Sequence, residues 1–382
     1  MSNNSPNKNN NRARDRDKNN TELPPKKIKL SPLIIDSFDD FDYNQFLDQA
    51  NTHIFFTEQE IPESEKELVI IDREINSLSD LIELGKLYDK TKRYNLDLKT
   101  LNKLVDSLTE LNNMIGMESV KQDMIDHILF RTQNLDNKNH DMMHTVIQGP
   151  PGIGKTEVSK IIGKIYLAMG VLKNNKFIKA TRSDLIAGYL GQTARQTQKI
   201  IDSAQGGILF IDEVYSLGNS EKRDSFAKEC IDTINENLTD KKTDFICIVA
   251  GYKKEIDTCF FAFNHGLERR FPVRFTIEPY KANELFLIFK KKVIDIEWSL
   301  DNDVNLDFFE KNIDHFKYYG GDMEILFSRS KRAHSRRVFA CKNQNNKKVI
   351  NMTDIERGFQ SFKNHRQIKD TDTNEKWKDM FL

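Results

Sequence analysis

This sequence is short of several things, and each shortage excludes something. No apolar run approaches the roughly 18–20 residues that a bilayer-spanning helix needs, which argues against insertion in a membrane. Charge of one sign is missing too: 58 Lys and Arg face 58 Asp and Glu. The chain as a whole therefore attracts neither nucleic acid nor an anionic surface, and any such attraction has to be local. Cysteine is scarce, at four in 382 residues (Cys230, Cys247, Cys259 and Cys341), with no CxxC pair and no metal-like spacing to histidine. Such cysteines read as reduced thiols and fit an intracellular compartment. The first residues lack the charged-then-apolar order of a secretory signal. A soluble intracellular protein is expected, with enough chain for two or three folded units.

Residues 1–30 are rich in Asn, Lys and Arg and carry almost no large apolar side chain before Leu23, so a disordered basic tail is expected. Within it, Lys26-Lys27-Ile28-Lys29 reads either as a nuclear-import peptide or as more of the solvated tail. From 31 to 110 apolar residues recur at three to four positions, as in Leu101, Leu104 and Leu108. That spacing predicts a small helical N-terminal domain. The middle of the chain changes character. Ile208-Leu209-Phe210-Ile211 and Phe245-Ile246-Cys247-Ile248-Val249 are short continuous apolar runs, as expected of strands buried on both faces of a parallel sheet. His144–Gln148 and Lys176–Lys179 suit two more strands, and helical patterns separate the four. A doubly wound α/β core over 111–278 follows, with ligands at the carboxyl ends of its strands. Beyond Pro279 the pattern is helical again, so a helical lid over 279–365 and a C-terminal tail over 366–382 are expected. Thr353 and Glu356 have the spacing of a capping box for the last helix.

Between the first strand and the first core helix stands Gly149-Pro150-Pro151-Gly152-Ile153-Gly154-Lys155-Thr156, a complete G-x-x-x-x-G-K-[ST] phosphate loop. Its glycines let successive N–H groups point inward at phosphate oxygens, and the following helix offers its positive end to the same anion. Lys155 then reaches the outer phosphates, and the Thr156 hydroxyl ligates Mg²⁺. Asp212 and Glu213 close the strand that starts at Ile208. A strand buried on both faces delivers them to its exposed tip, Asp212 to the magnesium shell and Glu213 to the attacking water. ATP and Mg²⁺ are the expected cofactors, and ATP hydrolysis the expected reaction.

With these residues in place the chain resembles the AAA+ ATPases, and within them the clade of the red-type rubisco activases and sporulation protein K. The likeness runs from about Leu111 to Phe362 and includes Gly206–Tyr215 around the acidic tip. It implies a P-loop fold and adds site residues: Ile115-Gly116 at the adenine, Tyr189 and Leu190 in a substrate-gripping pore loop between Gly188 and Gly191, and Arg270 as an arginine finger. It also implies a ring oligomer, a hexamer by kinship, that threads a protein substrate chosen by its N-terminal domain. Two positions depart from the family pattern. Tyr252 stands where a polar sensor residue is usual, and Gly320-Gly321-Asp322-Met323 places Met323 where an arginine is expected, with Arg329 as a substitute further along. The Asn/Lys/Ile-rich bias and the Gly-Gly-Asp-Met lid resemble AAA proteins of large DNA viruses. Two rival functions stay open. The basic series Arg329, Lys331, Arg332, Arg336, Arg337, Lys342, Lys347 and Lys348 suits a nucleic-acid motor or loader, the less favoured reading, or a solvated or inter-subunit face. Met323 suits a switch that hydrolyses ATP poorly.

Overall fold

The computed structural model describes residues 66–135, 141–189, 191–218, 224–240, 244–264, 266–339 and 347–379, with backbone alone at 240 and 366–379. The basic tail, residues 31–65, Leu190 and Lys342 lie outside them. All the described residues belong to one unit, 61–382.

Two short strands, β1 (Glu67–Val69) and β2 (Lys92–Tyr94), pair in parallel beside α1 (Leu78–Lys86) and α2 (Leu98–Asn112). Ser77 and Asp80 close a reciprocal capping box on α1, satisfying N–H groups that the first turn leaves without partners. After α3 (Glu118–Thr132) the core begins with β3 (Thr145–Gln148) and α4 (Lys155–Ala168). It continues through β4 (Phe177–Ala180), the single turn α5 (Arg182–Leu185), α6 (Thr193–Ser203), β5 (Ile208–Ile211) and α7 (Ser225–Asp240). The strand β6 (Ile246–Gly251), α8 (Lys253–Cys259) and β7 (Val273–Thr276) complete it. The five strands form one sheet in the order β4-β5-β6-β3-β7, all parallel.

Alternation along the buried strands divides the sheet's two faces. Ile208 and Phe210 of β5, with Ile246, Ile248 and Ala250 of β6, pack beneath Val158, Ile162 and Ile165 of α4. Leu209, Ile211, Cys247 and Val249 face the other way, against Ile201 of α6 and Cys230, Ile231 and Ile234 of α7. Both layers are fully dry, which is why these strands read as unbroken apolar runs. His144, just before β3, is buried among them; its Nδ1 accepts the Cys247 N–H at 3.0 Å, and burial pushes its pKa down to about 4.

The lid consists of α9 (Ala282–Ile294), α10 (Asp307–Lys311), α11 (Tyr319–Val338) and α12 (Met352–Asp379), joined by the small pair β8 (Ser299–Leu300) and β9 (Val349–Ile350). An aromatic nucleus of Phe289, Phe309, Phe316, Phe327 and Phe359 holds it together. Buried residues of α1, α2, the core and the lid make one continuous apolar cluster. The last helix runs on to Asp379, through the boundary drawn at 365/366 from sequence. Its capping box differs from the expected Thr353–Glu356 pair. Asn351 Oδ1 accepts the Asp354 N–H at 3.0 Å and Asp354 Oδ2 accepts the Asn351 N–H at 3.3 Å. The shift has a cause in the lid: buried Asp354 is also the carboxylate that pairs with Arg337, at 2.8 Å, and with His334, at 3.1 Å. No helix among the described residues is long and apolar enough to cross a membrane.

Gly85 marks the contact of α1 with α2, where an added Cβ would lie 2.6 Å from the Leu101 carbonyl oxygen and 2.7 Å from Val105 Cγ2. In an open helix Gly→Ala stabilises by about 1 kcal/mol. Here Gly85→Ala is expected to lower the thermal midpoint, because backbone has to move to admit the methyl group. A raised midpoint would count against this packing.

Candidate functional site

The site forms where β3 and β5 end, on either side of β6. The loop after β3 has to cross the end of β6 to meet the tip of β5, and it does so with its backbone: the Gly149 N–H donates to the Gly251 carbonyl at 3.1 Å. Gly152 and Gly154 hold φ of +74° and +86°, left-handed values that only glycine adopts without strain. Gly154 is also the residue from which α4 starts, so the free N–H groups of that helix open toward the loop. The loop's outer wall is fixed from the lid side. The Tyr280 hydroxyl donates to the Ile153 carbonyl at 3.1 Å, and the Gly320 N–H donates to the Gly152 carbonyl at 3.0 Å.

Four of the residues singled out from sequence come together here. The Thr156 hydroxyl donates to Asp212 Oδ2 at 3.1 Å. Lys155 is partly buried, and its ammonium donates to the Gly149 and Pro150 carbonyls at 3.0 and 2.7 Å. Burial lowers its pKa, with the charges of Asp212 and Glu213 opposing that shift. Glu213 follows Asp212 with φ +49° and ψ +47°, an unusual conformation for a residue with a Cβ. Holding it costs on the order of 1–3 kcal/mol, and such strain persists only where neighbours over-determine the backbone. Here they do: Val214 and Leu217, just beyond, are fully buried.

Two aromatic residues frame the tip. Tyr252, at the expected sensor position directly after β6, stacks on Tyr215 with ring centroids 5.1 Å apart and its face toward the Lys155 ammonium at 5.0 Å. Burial raises the Tyr215 pKa, and the neighbouring Tyr252 and Glu213 raise it further, so its phenol stays protonated. Sequence reasoning missed Tyr215, Tyr280 and Lys179 as site residues. The Lys179 ammonium lies 2.9 Å from Asp212 Oδ2, an ion pair that depends on the register of β4 against β5 and leaves no local trace in the sequence.

Beside the loop a cavity of about 310 Å³ opens between Met114, Ile115, Gly152–Gly154 and the lid residues Tyr280, Ile288, Lys291, Gly320 and Gly321. Its size suits a nucleobase and ribose, with an apolar wall beside the loop and charged side chains of Lys291, Lys292, Asp295 and Glu324 on the lid side. Ile115 lines it; the adjacent Gly116 has φ +68°, and a Cβ there would lie 2.7 Å from Glu284 Oε1.

Other expected residues lie apart from this cluster. Met323 is fully buried in the lid core and presents nothing to the loop. Arg329 does not stand in for it: its guanidinium donates to the Ser361 carbonyl and hydroxyl of α12 at 2.7 and 2.6 Å. The lid reaches the phosphate loop through the backbone of Tyr318–Gly321 instead. Arg270, in a short turn before β7, is held by its own chain, donating to Thr239 Oγ1 and the Gly266 carbonyl, both at 2.6 Å. Its neighbour Arg269 is exposed. Tyr189 is 74% exposed at the tip of a loop whose base is pinned, with the Ala187 N–H donating to Thr193 Oγ1 at 3.2 Å.

A parallel sheet that empties into a lysine-bearing glycine loop, with an acidic strand tip beside it, defines a nucleotide-binding P-loop ATPase. The family profile described as ATPase family associated with various cellular activities (AAA) matches residues 145–278. The cfxQ-like protein R730 of Acanthamoeba polyphaga mimivirus is 46% identical over 306 residues, covering 78% of this chain and 75% of that one. Stage V sporulation protein K of Bacillus subtilis (strain 168) is 36% identical over 200 residues, 51% of this chain and 62% of its own length. The chloroplastic cbbX homolog of Guillardia theta is 32% identical over 206 residues, 52% of this chain and 55% of its own. This chain belongs to the AAA family of ATPases, in the group of the sporulation K and cbbX proteins, with a viral relative along most of its length.

Gly152 is where loop and lid touch most closely, since a Cβ there would strike the Tyr318 carbonyl oxygen. For Gly152→Ala, the lost left-handed conformation alone corresponds to about 1–3 kcal/mol, or roughly 5- to 150-fold in affinity. ADP binding, followed by calorimetry, is expected to weaken within that range while the fold persists. Unchanged affinity would separate the lid contact from nucleotide binding.

Proposed function

We infer that this chain is an ATP-driven remodeller that works as a ring, probing a polypeptide with the Tyr189 loop while ATP turns over at the site between loop and strand tip. In this reading the core is 111–278, the lid 279–365, and residues 31–110 choose the substrate. Loop residues Gly149–Thr156 cradle the phosphates, Ile115 and Gly116 flank the adenine, and Lys155 leaves its two carbonyl partners for the outer phosphates. Glu213, held at the strand tip by its left-handed backbone, takes the proton of the attacking water. Thr156 and Asp212 fit a magnesium ion, because both present hard oxygen donors 3.1 Å apart. Such an ion neutralises charge that develops on the phosphates. Arg270 acts in the site of a neighbouring subunit, where a guanidinium is worth about 10³–10⁵ in rate in other P-loop systems.

What carries the remodelling half of this reading is Tyr189. Its ring is 74% exposed on a loop, as a side chain that meets a polypeptide from outside has to be. The flanking Gly188 and Gly191 have open space around them, so the tip can turn. Leu190, its partner in the expected pore loop, lies outside the described residues.

A second reading, contact with nucleic acid, has one observation in its favour. Part of the basic series of the lid is engaged by the protein itself. Arg337 pairs with Asp354, Lys348 with Glu297 at 3.5 Å, and Lys331 covers the Phe327 ring. Arg329, Arg332 and Arg336 of the series, with Arg357, line a concavity of about 440 Å³ that has no carboxylate among its lining residues.

Two experiments test the proposal. Glu213→Gln is expected to bind ATP normally and to lose about 10²–10⁴ in turnover; undiminished turnover would remove Glu213 from its role. Tyr189→Ala is expected to keep basal ATPase and lose stimulation by unfolded protein. If instead single-stranded DNA stimulates the wild type, and Ala at Arg332, Arg336 and Arg357 flattens the salt dependence of DNA binding, the nucleic-acid reading takes its place.

A further inference from the structure

We propose that Lys179 is a built-in counter-cation for Asp212, a positioning residue whose ammonium holds the metal-binding carboxylate and is displaced when a nucleotide-bound divalent ion arrives. The inference rests on the assignment of Asp212 and Thr156 to the metal made above.

The geometry is specific to one atom. Asp212 Oδ2 accepts the Thr156 hydroxyl at 3.1 Å and the Lys179 ammonium at 2.9 Å, so both partners converge on the same oxygen. A cation shared by Thr156 and Asp212 would have to take that oxygen. Lys155, the other ammonium nearby, is turned onto the Gly149 and Pro150 carbonyls. The arrangement is set by strand register. Lys179 of β4 stands opposite Phe210 of β5, two residues before Asp212, and its ammonium passes over the Phe210 ring at 5.9 Å. The carboxylate is mostly covered, its side chain 19% exposed, whereas the lysine side chain is 48% exposed. Next to the pair opens a concavity of about 640 Å³ lined by Thr181, Arg182, Ser183, Glu213 and Ser216. A displaced ammonium can therefore swing into solvent without unpacking the strand.

Charge decides what such a lysine does. Without metal, Asp212 and Glu213 put two carboxylates where phosphates have to come, and Lys179 cancels one of them. With metal, a divalent ion and an ammonium compete for one oxygen, and the doubly charged hard ion wins at the cost of the pair. Lys179 thus favours metal-free nucleotide and opposes the metal. It narrows the difference between the two states.

The test uses the full chain and a fluorescent ADP, titrated in chelator and then at rising Mg²⁺ or Mn²⁺, with circular dichroism melts as the control for folding. For Lys179→Met, metal-free ADP binding is expected to weaken and the half-saturating Mg²⁺ to fall, each by about two- to five-fold, the size appropriate to a half-exposed ion pair. Lys179→Arg, which keeps the charge, is expected to stay near wild type. Opposite movement of the two quantities is the signature, since general damage would weaken both together. If Asp212→Asn loses its response to Mg²⁺ while Lys179→Met matches wild type in both measurements, the role of Lys179 is overturned and the metal assignment stands. If Asp212→Asn responds to Mg²⁺ as wild type does, the metal assignment fails and the role of Lys179 fails with it.

Discussion

The hydrogen bond from Thr156 to Asp212 joins two segments 56 residues apart, and most of the molecule is arranged to permit it. The two residues follow strands that are not neighbours: β6 lies between β3 and β5. With strands about 4.8 Å apart, the loop has to span nearly 10 Å across the end of β6. It is tied down there by the Gly149 N–H, which donates to the carbonyl of Gly251 at the end of β6 at 3.1 Å. The dry layers on both sheet faces then act as a jig. They fix the height of each strand, and so the meeting of hydroxyl and carboxylate at its edge.

Much of this was legible in the sequence because burial on both faces writes itself as unbroken apolar residues. The runs at 208–211 and 245–249 became β5 and β6 nearly residue for residue. The fifth strand, β7, escaped notice because Val273-Arg274-Phe275-Thr276 alternates and is short: Phe275 is buried while Thr276 is exposed. A four-residue alternation after a proline looks like a loop. The lid helices were visible from their period, and the start of α12 to within one residue, yet its capping pair was not. Two polar pairs of capping type compete there, and Asp354 prevails because Arg337 and His334 already hold it.

The candidate site divides in the same way. Residues adjacent in sequence to the phosphate loop and the acidic tip could be named from the motif, since the motif itself contains the spacing. Residues that arrive from elsewhere could not. Lys179 reaches Asp212 through strand register, and Tyr280 reaches Ile153 over 127 positions. Met323 stands at the sensor position by its place along the chain, where a methionine cannot meet a phosphate charge, and in the fold it is drawn into the apolar nucleus of the lid.

The backbone bond between Gly320 and Gly152 has a mechanical consequence. Elsewhere a long charged side chain could flex between lid and phosphate and absorb small displacements. Here two main chains are in direct contact, with no Cβ on either side and 3.0 Å from nitrogen to oxygen. A joint of that kind has almost no slack. Any change in the curl of the phosphate loop is passed undamped to the first turn of α11, and twenty residues of rigid helix carry it as a lever to the far end of the lid.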